Sequence, residues 1–189
     1  KLKEIKRKLK GIERNLKKVK GNELRGKNIG IVGFGNVGKK VAEISNALGM
    51  NVHIFSSYFD KVKQDYISFN SSSLNKILSN SDIISFHCRP NKDGSSIITK
   101  KEINLMKKNC ILINTARGNL INESDLAHAL KNDLVKGAAL DVYQNEPAKD
   151  NELFGLNNII LTPHIAASTD EAQIIVAEMI ANQFCEFFN

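Results

Sequence analysis

The sequence predicts an α/β protein: a doubly wound parallel sheet preceded by an amphipathic helix. Three observations predict it. After residue 27, short apolar runs alternate with stretches of helical periodicity. Most of those runs are apolar at consecutive positions, as strands covered on both faces require. The stretch "GIVGFGNVGKKV" (30–41) sets a glycine-rich turn between the first run and the first helical pattern.

The chain begins with a helix pattern. Leu2, Ile5, Leu9, Ile12, Leu16 and Val19 recur at spacings of 3, 4, 3, 4 and 3, which makes one apolar stripe with a basic opposite face. The net charge of +7 belongs to this segment: residues 1–27 hold 12 Lys/Arg against 3 Asp/Glu, and the remainder 15 against 17. Such a helix docks on its own domain or on a second subunit; a helix on nucleic acid or a membrane surface is the alternative. No aromatic residue interleaves the lysines, which argues against nucleic acid. Residues 1–26 therefore read as helix and connecting arm, and residues 27–189 as the domain.

Six strands are expected: "NIGIV" (28–32), "NVHIF" (51–55), "DIISFH" (82–87), "CILINT" (110–115), "VKGAALDVY" (135–143) and "NIILT" (158–162). Helical patterns lie between them at 37–49, 73–80, 100–109 and 122–133, and a last one covers 170–188. "SFNSSSLN" (68–75) reads as a polar surface loop. Strand–helix alternation implies right-handed crossovers.

Composition sets limits on function. Hydrophobic residues make up 42% and charged residues 25%, as in a soluble globular protein. No apolar run reaches the ~20 residues of a membrane span, and the start, "KLKEIKRKLK", has no apolar core of a signal peptide. Cys88, Cys110 and Cys185 are far apart and odd in number. Cys110 and Cys185, in apolar surroundings, read as small core residues of a cytoplasmic protein, and none of the three as part of a bridge or a metal site.

Gly33, Gly35 and Gly38 form G-x-G-x-x-G after a strand and at a helix start, the context of a Rossmann-type dinucleotide turn. Gly33 permits the turn, Gly35 lets a pyrophosphate approach the backbone, and Gly38 lets helix and strand pack closely. The acidic residue expected about 20 residues on is missing. Ser56 and Ser57 stand there, and Asp60 comes late. Serines bond a ribose hydroxyl and do not repel a 2′-phosphate. NAD is the expected cofactor, because no arginine takes the vacant place; Lys61 and Lys63 keep NADP open.

In an open parallel sheet ligands sit outside the carboxyl ends of the strands. The third strand ends in His87-Cys88-Arg89-Pro90, the fourth offers Arg117, the fifth Asp141 and then Glu146, and the sixth Pro163-His164. All 3 prolines lie at this rim. A carbonyl receiving hydride needs a proton on its oxygen, which His164 can supply and take back. Glu146, if bonded to the imidazole, fixes its tautomer and favours its charged form. Arg117 offers a planar fork for a substrate carboxylate; a structural salt bridge between Arg117 and Glu146 is the alternative. His53 and His128 read as structural, and His87 as lining the adenosine side.

"GKNIGIVGFGNVGKKVA", "INTARGNLINESDL", "GAALDVYQNEP" and "LTPHIAASTDEAQ" together resemble the D-isomer-specific 2-hydroxyacid dehydrogenase family, from about Leu24 to the end. The resemblance implies that Arg117, Glu146 and His164 are the catalytic arginine, glutamate and histidine. It implies that Asn36 and Val37 meet the pyrophosphate, and that Asp141 and the backbone of Thr115, Ala116 and Arg117 lie by the nicotinamide. It implies a small-molecule D-2-hydroxy acid as substrate, and a leading helix that joins two domains and helps form a homodimer. Two departures stand out: Ser56 for the usual acid, and "HCRPNKDG", with His87 and Cys88, where the family more often has a His-x-Pro pattern. Family members also carry a second, substrate-binding domain, to which the final helix returns. None of it is recognisable here, so this chain by itself is expected to bind dinucleotide but turn over poorly. A rival reading of another class is a dinucleotide-sensing interaction module of corepressor type, which would use the basic helix as its partner surface.

Overall fold

A computed structural model describes residues 21–188; the leading apolar stripe, and the docking and dimer roles expected of it, lie outside the described residues. The described chain forms one seven-stranded sheet in the order β3-β2-β1-β4-β5-β6-β7, every pair parallel. The strands are β1 (Asn28–Val32), β2 (Asn51–Phe55), β3 (Asn70–Ser71), β4 (Ile83–Phe86), β5 (Ile111–Asn114), β6 (Gly137–Leu140) and β7 (Ile159–Leu161). The helices are α1 (Asn36–Ala47), α2 (Ser57–Val62), α3 (Leu74–Asn80), α4 (Lys100–Ile103), α5 (Glu123–Lys131) and α6 (Asp170–Phe188).

β1 is an interior strand, between β2 and β4, and is apolar on both faces. Ile29 and Ile31 join a cluster with Ala42 of α1 and with Val52 and Ile54 of β2. Val32 joins the larger cluster that holds Ile77 and Leu78 of α3, Ile84 and Phe86 of β4, and Leu126 of α5. Alternating side chains thus feed two cores on opposite faces. Gly30 faces α3, where an added Cβ would stand 2.4 Å from Ile77 Cγ2, so the helix lies flush on the strand.

Strand order reverses between β1 and β4. The chain first runs outward through β2 and β3, then returns to the other side of β1. At such a switch point the carboxyl ends of two neighbouring strands open a crevice. Here Val32 is in register with Phe86, so Gly33 and His87 leave the sheet side by side.

Four elements depart from expectation. Asn70–Ser71 pairs with β2 as a short edge strand inside the stretch read as a loop. α2 was not expected; Ser56 caps it, its Oγ accepting from the Tyr58 N–H at 3.3 Å. The pattern at 100–109 yields only one helical turn, closed at its start by a capping box of Thr99 and Glu102. β7 is the outer strand, and its Ile160 is 69% exposed, so it is half-covered rather than buried.

α6 carries the apolar sequence expected of it but buries no residue among the described ones. Ile174, Met179, Ile180 and Phe184 are each more than half exposed. Cys185 lies on this helix and is exposed, which corrects its reading as a core residue; Cys110 is buried, as expected, and Cys88 is half-buried. No described helix is long and apolar enough to cross a membrane.

Candidate active site

The glycine turn is built by contact. Gly33 has φ +101°, and a Cβ there would stand 2.5 Å from the His87 carbonyl oxygen, so only glycine lets the two strand ends meet. A Cβ on Gly38 would stand 2.3 Å from the Gly33 carbonyl oxygen, which is the close helix–strand packing the motif predicts. Gly35 differs: nothing lies within 4 Å of its Cβ position. That open space sits at the start of the 12-residue helix α1, whose N-cap has no side chain and whose first turn has no acid. Its N–H groups and the positive end of its dipole are left for an anion. The residues present therefore fit a dinucleotide pyrophosphate.

Two cavities flank this turn. One of about 300 Å³ is lined by Gly35, Asn36, Val37, His87, Cys88 and the Thr115–Arg117 loop. The other, about 790 Å³, runs from Gly33 and Asn36 to Ser56 at the end of β2 and also meets His87 and Cys88. His87 thus stands between the two. Its Nε2 is 2.8 Å from Ser85 Oγ, and burial pushes its pKa down to about 4, so the ring is neutral.

The Arg117 loop is framed by Asn114, a buried residue at the end of β5. Its Oδ1 accepts from the Ala116 N–H at 3.1 Å, and its Nδ2 donates to the Arg117 carbonyl at 2.9 Å. Gly118 follows, and a Cβ there would stand 1.9 Å from the Tyr143 carbonyl group. The arginine loop and the loop after β6 therefore touch backbone to backbone. Arg117 Nη1 donates to the Ala116 carbonyl at 2.6 Å, and no Arg117–Glu146 ion pair forms among the described residues.

Glu146 and His164 do meet. His164 Nδ1 lies 2.6 Å from Glu146 Oε2, while Glu146 Oε1 accepts from the Tyr143 N–H at 2.9 Å. The imidazole partner, then the Tyr143 amide, hold the Glu146 carboxyl below its ordinary pKa. A carboxylate only accepts, so the proton of this bond is on Nδ1, and Nε2 is the ring nitrogen left to exchange a proton with a substrate. The pair borders a third cavity of about 450 Å³, lined also by Tyr143, Phe154 and Pro163.

His164 has φ +54°, a left-handed backbone that costs a non-glycine residue about 1–3 kcal/mol. Asp141 holds it there. Its Oδ1 accepts from the Ile165 N–H and its Oδ2 from the Ala166 N–H, both at 2.9 Å, and Thr162 Oγ1 donates to Oδ1. Burial pushes the Asp141 carboxyl up, but these three bonds outweigh it and hold the group below its ordinary pKa. Asp141 and Gly38 line none of the three cavities. Asp141 acts as the staple of the histidine loop, a role its position in the sequence did not suggest. Asn114 and Gly118 were likewise missed, although "NTARGN" carries both.

The family model for the D-isomer specific 2-hydroxyacid dehydrogenase, NAD binding domain, matches residues 1–166. Over 167 residues the chain is 41% identical to D-3-phosphoglycerate dehydrogenase of Bacillus subtilis, covering 88% of this chain and 32% of that protein. Among solved structures, NAD-dependent formate dehydrogenase from Staphylococcus aureus in complex with NAD superposes with a TM-score of 0.80 at 30% identity, over 89% of this chain and 50% of that one. An acyclic imino acid reductase in complex with NADPH and D-Arg gives 0.72 at 37%, over 88% and 55%. The chain thus spans about a third of the curated relative and half of the solved chains. With its Rossmann-like sheet, its glycine turn and the family match over most of its length, the chain belongs to the D-isomer-specific 2-hydroxyacid dehydrogenases, as an NAD-binding domain.

Proposed function

We propose that the whole protein is an NAD-dependent D-2-hydroxyacid dehydrogenase that oxidises D-3-phosphoglycerate to 3-phosphohydroxypyruvate, an entry step to serine. The observation that carries the reading is the Glu146–His164 pair, 2.6 Å apart at the same sheet rim as the glycine turn. A bound nicotinamide supplies the hydride acceptor. His164 Nε2 takes the hydroxyl proton of the alcohol and returns it in reduction. Glu146 holds the tautomer and stabilises the imidazolium that results. Arg117 keeps further N–H donors beyond the one bonded to Ala116, enough for a bidentate grip on a substrate carboxylate. A sensing module needs no such acid–base pair. The leading helix is assigned as a contact between two subunits, and residues 27–189 as one dinucleotide-binding domain whose last helix crosses to a substrate domain.

The test is a panel on the intact protein. NAD and NADP are each paired with 3-phosphoglycerate, D-lactate and D-glycerate, and nicotinamide absorbance is followed. Turnover of 3-phosphoglycerate well above the others supports the assignment. Preference for D-lactate or D-glycerate refutes the substrate, and silence on all three refutes the activity.

A further inference from the structure

The segment after β6 that carries Glu146 has no regular structure of its own. Among the described residues, none from 142 to 150 takes part in a backbone–backbone hydrogen bond. Its course is therefore set by side chains.

One carboxylate grips both ends of it. Glu123, the first residue of α5, accepts from the Gln144 N–H at 2.6 Å through Oε1 and from Asn151 Nδ2 at 2.7 Å through Oε2. Each end is anchored further. The Gln144 side chain donates to the Ile121 carbonyl at 3.4 Å, and Asn151 Oδ1 accepts from the N–H of buried Leu153 at 2.9 Å. Within the loop so closed, Glu146 reaches back to the Tyr143 N–H at 2.9 Å and out to His164 Nδ1 at 2.6 Å. The amides that Glu123 and Glu146 hold belong to neighbouring residues, so a shift of one displaces the other. Glu123 does not line the cavity that Glu146 and His164 border, and acts only through the loop. A negative charge at the start of α5 is favoured by the helix dipole. Because α5 follows the Arg117 loop, the same residue ties the segment that bears the arginine to the one that bears the glutamate.

We propose that Glu123 is a positioning residue for the reaction: by tying Gln144 to Asn151 it holds the Glu146 carboxylate against His164. The inference rests on the reading of Glu146 and His164 as the acid–base pair.

The test is steady-state kinetics of the intact protein with whichever D-2-hydroxy acid it turns over. The variants are Glu123→Gln, Glu123→Gln with Asn151→Asp, and Glu123→Gln added to Glu146→Gln. A side-chain amide can accept from only one of the two donors, so Glu123→Gln releases one end of the loop. kcat should then fall by about 10–100-fold, the range for a misplaced catalytic group, with KM and NADH affinity little changed. Adding Asn151→Asp restores the bond with its polarity reversed, because the new carboxylate accepts both from the new amide and from the Leu153 N–H; kcat should recover most of the loss. In Glu146→Gln no carboxylate is left to position, and Glu123→Gln should cost nothing further. A kcat unchanged by Glu123→Gln, an equal loss with and without the Glu146 carboxylate, or no recovery on adding Asn151→Asp overturns the inference while the acid–base reading stands. If Glu123→Gln fails to fold and bind NADH, the swapped pair decides: NADH binding with turnover supports the inference, and anything less overturns it. Undiminished turnover in Glu146→Gln itself refutes the acid–base reading, and the inference with it.

Discussion

His164 combines two properties that are each uncommon: a left-handed backbone and a short bond to a carboxylate. The first is sustained by Asp141, the second by Glu146, so two acids act on one imidazole in different ways. His164→Gln in the intact protein should lower kcat by about 10²–10⁴, the range of a lost general acid–base group, with NADH affinity unchanged by fluorescence titration. Asp141→Ala removes the acceptor of two backbone N–H groups without touching the imidazole. Hydrogen exchange at the Ile165 and Ala166 amides should then accelerate, and kcat should fall because the ring is no longer held. Unchanged exchange at both amides would refute the staple role. Asp141 and Glu146 were both legible as polar residues at strand ends. Glu146 was legible as the partner of the imidazole too; that Asp141 faces the backbone of the histidine loop was not, because that depends on how the loop after β7 folds back.

Between elements, the decisive contacts are those that glycine allows. Gly33 against His87 joins β1 to β4, and Gly118 against Tyr143 joins the loops after β5 and β6. The first was readable, since the glycine motif has a known turn geometry. The second was not, since a lone glycine after an arginine carries no signal of what it will touch. Gly118→Ala forces backbone apart and should cost about 1–3 kcal/mol in denaturant unfolding, with a larger effect on substrate KM than on NADH affinity, because it displaces Arg117 rather than the glycine turn. Equal stability of the variant would show that the loops can separate freely.

For the molecule as a whole, the titration of His87 couples the cofactor crevice to stability. Burial lowers its pKa to about 4 from the ordinary 6.5. Between those values the unfolded chain binds a proton that the folded chain refuses, so the stability present above about pH 6.5 is lost as pH falls toward 4. Thermal unfolding followed from pH 8 to pH 4 should show Tm falling across that window, and His87→Asn should flatten the fall. An identical slope in the variant would assign the effect to other groups. At the same scale, the apolar sequence of α6 marks a helix made for burial, yet none of its described residues is buried.

What the sequence determined by itself was everything carried by local spacing. Apolar runs of strand length, helical periods between them and one glycine motif suffice for a parallel sheet with a phosphate turn, because backbone geometry and hydrophobic burial act on near neighbours along the chain. It also marked Arg117, Glu146 and His164 as rim residues, since strand ends are where such sheets keep their polar groups. The tertiary structure alone decided which of these touch: Glu146 pairs with His164 rather than Arg117, Asp141 turns inward, and Lys39 rather than Lys61 or Lys63 faces the Ser56 cavity. Those choices rest on packing between segments tens of residues apart, and the strength of a hydrogen bond or ion pair follows from distance in space, which the order of residues does not encode.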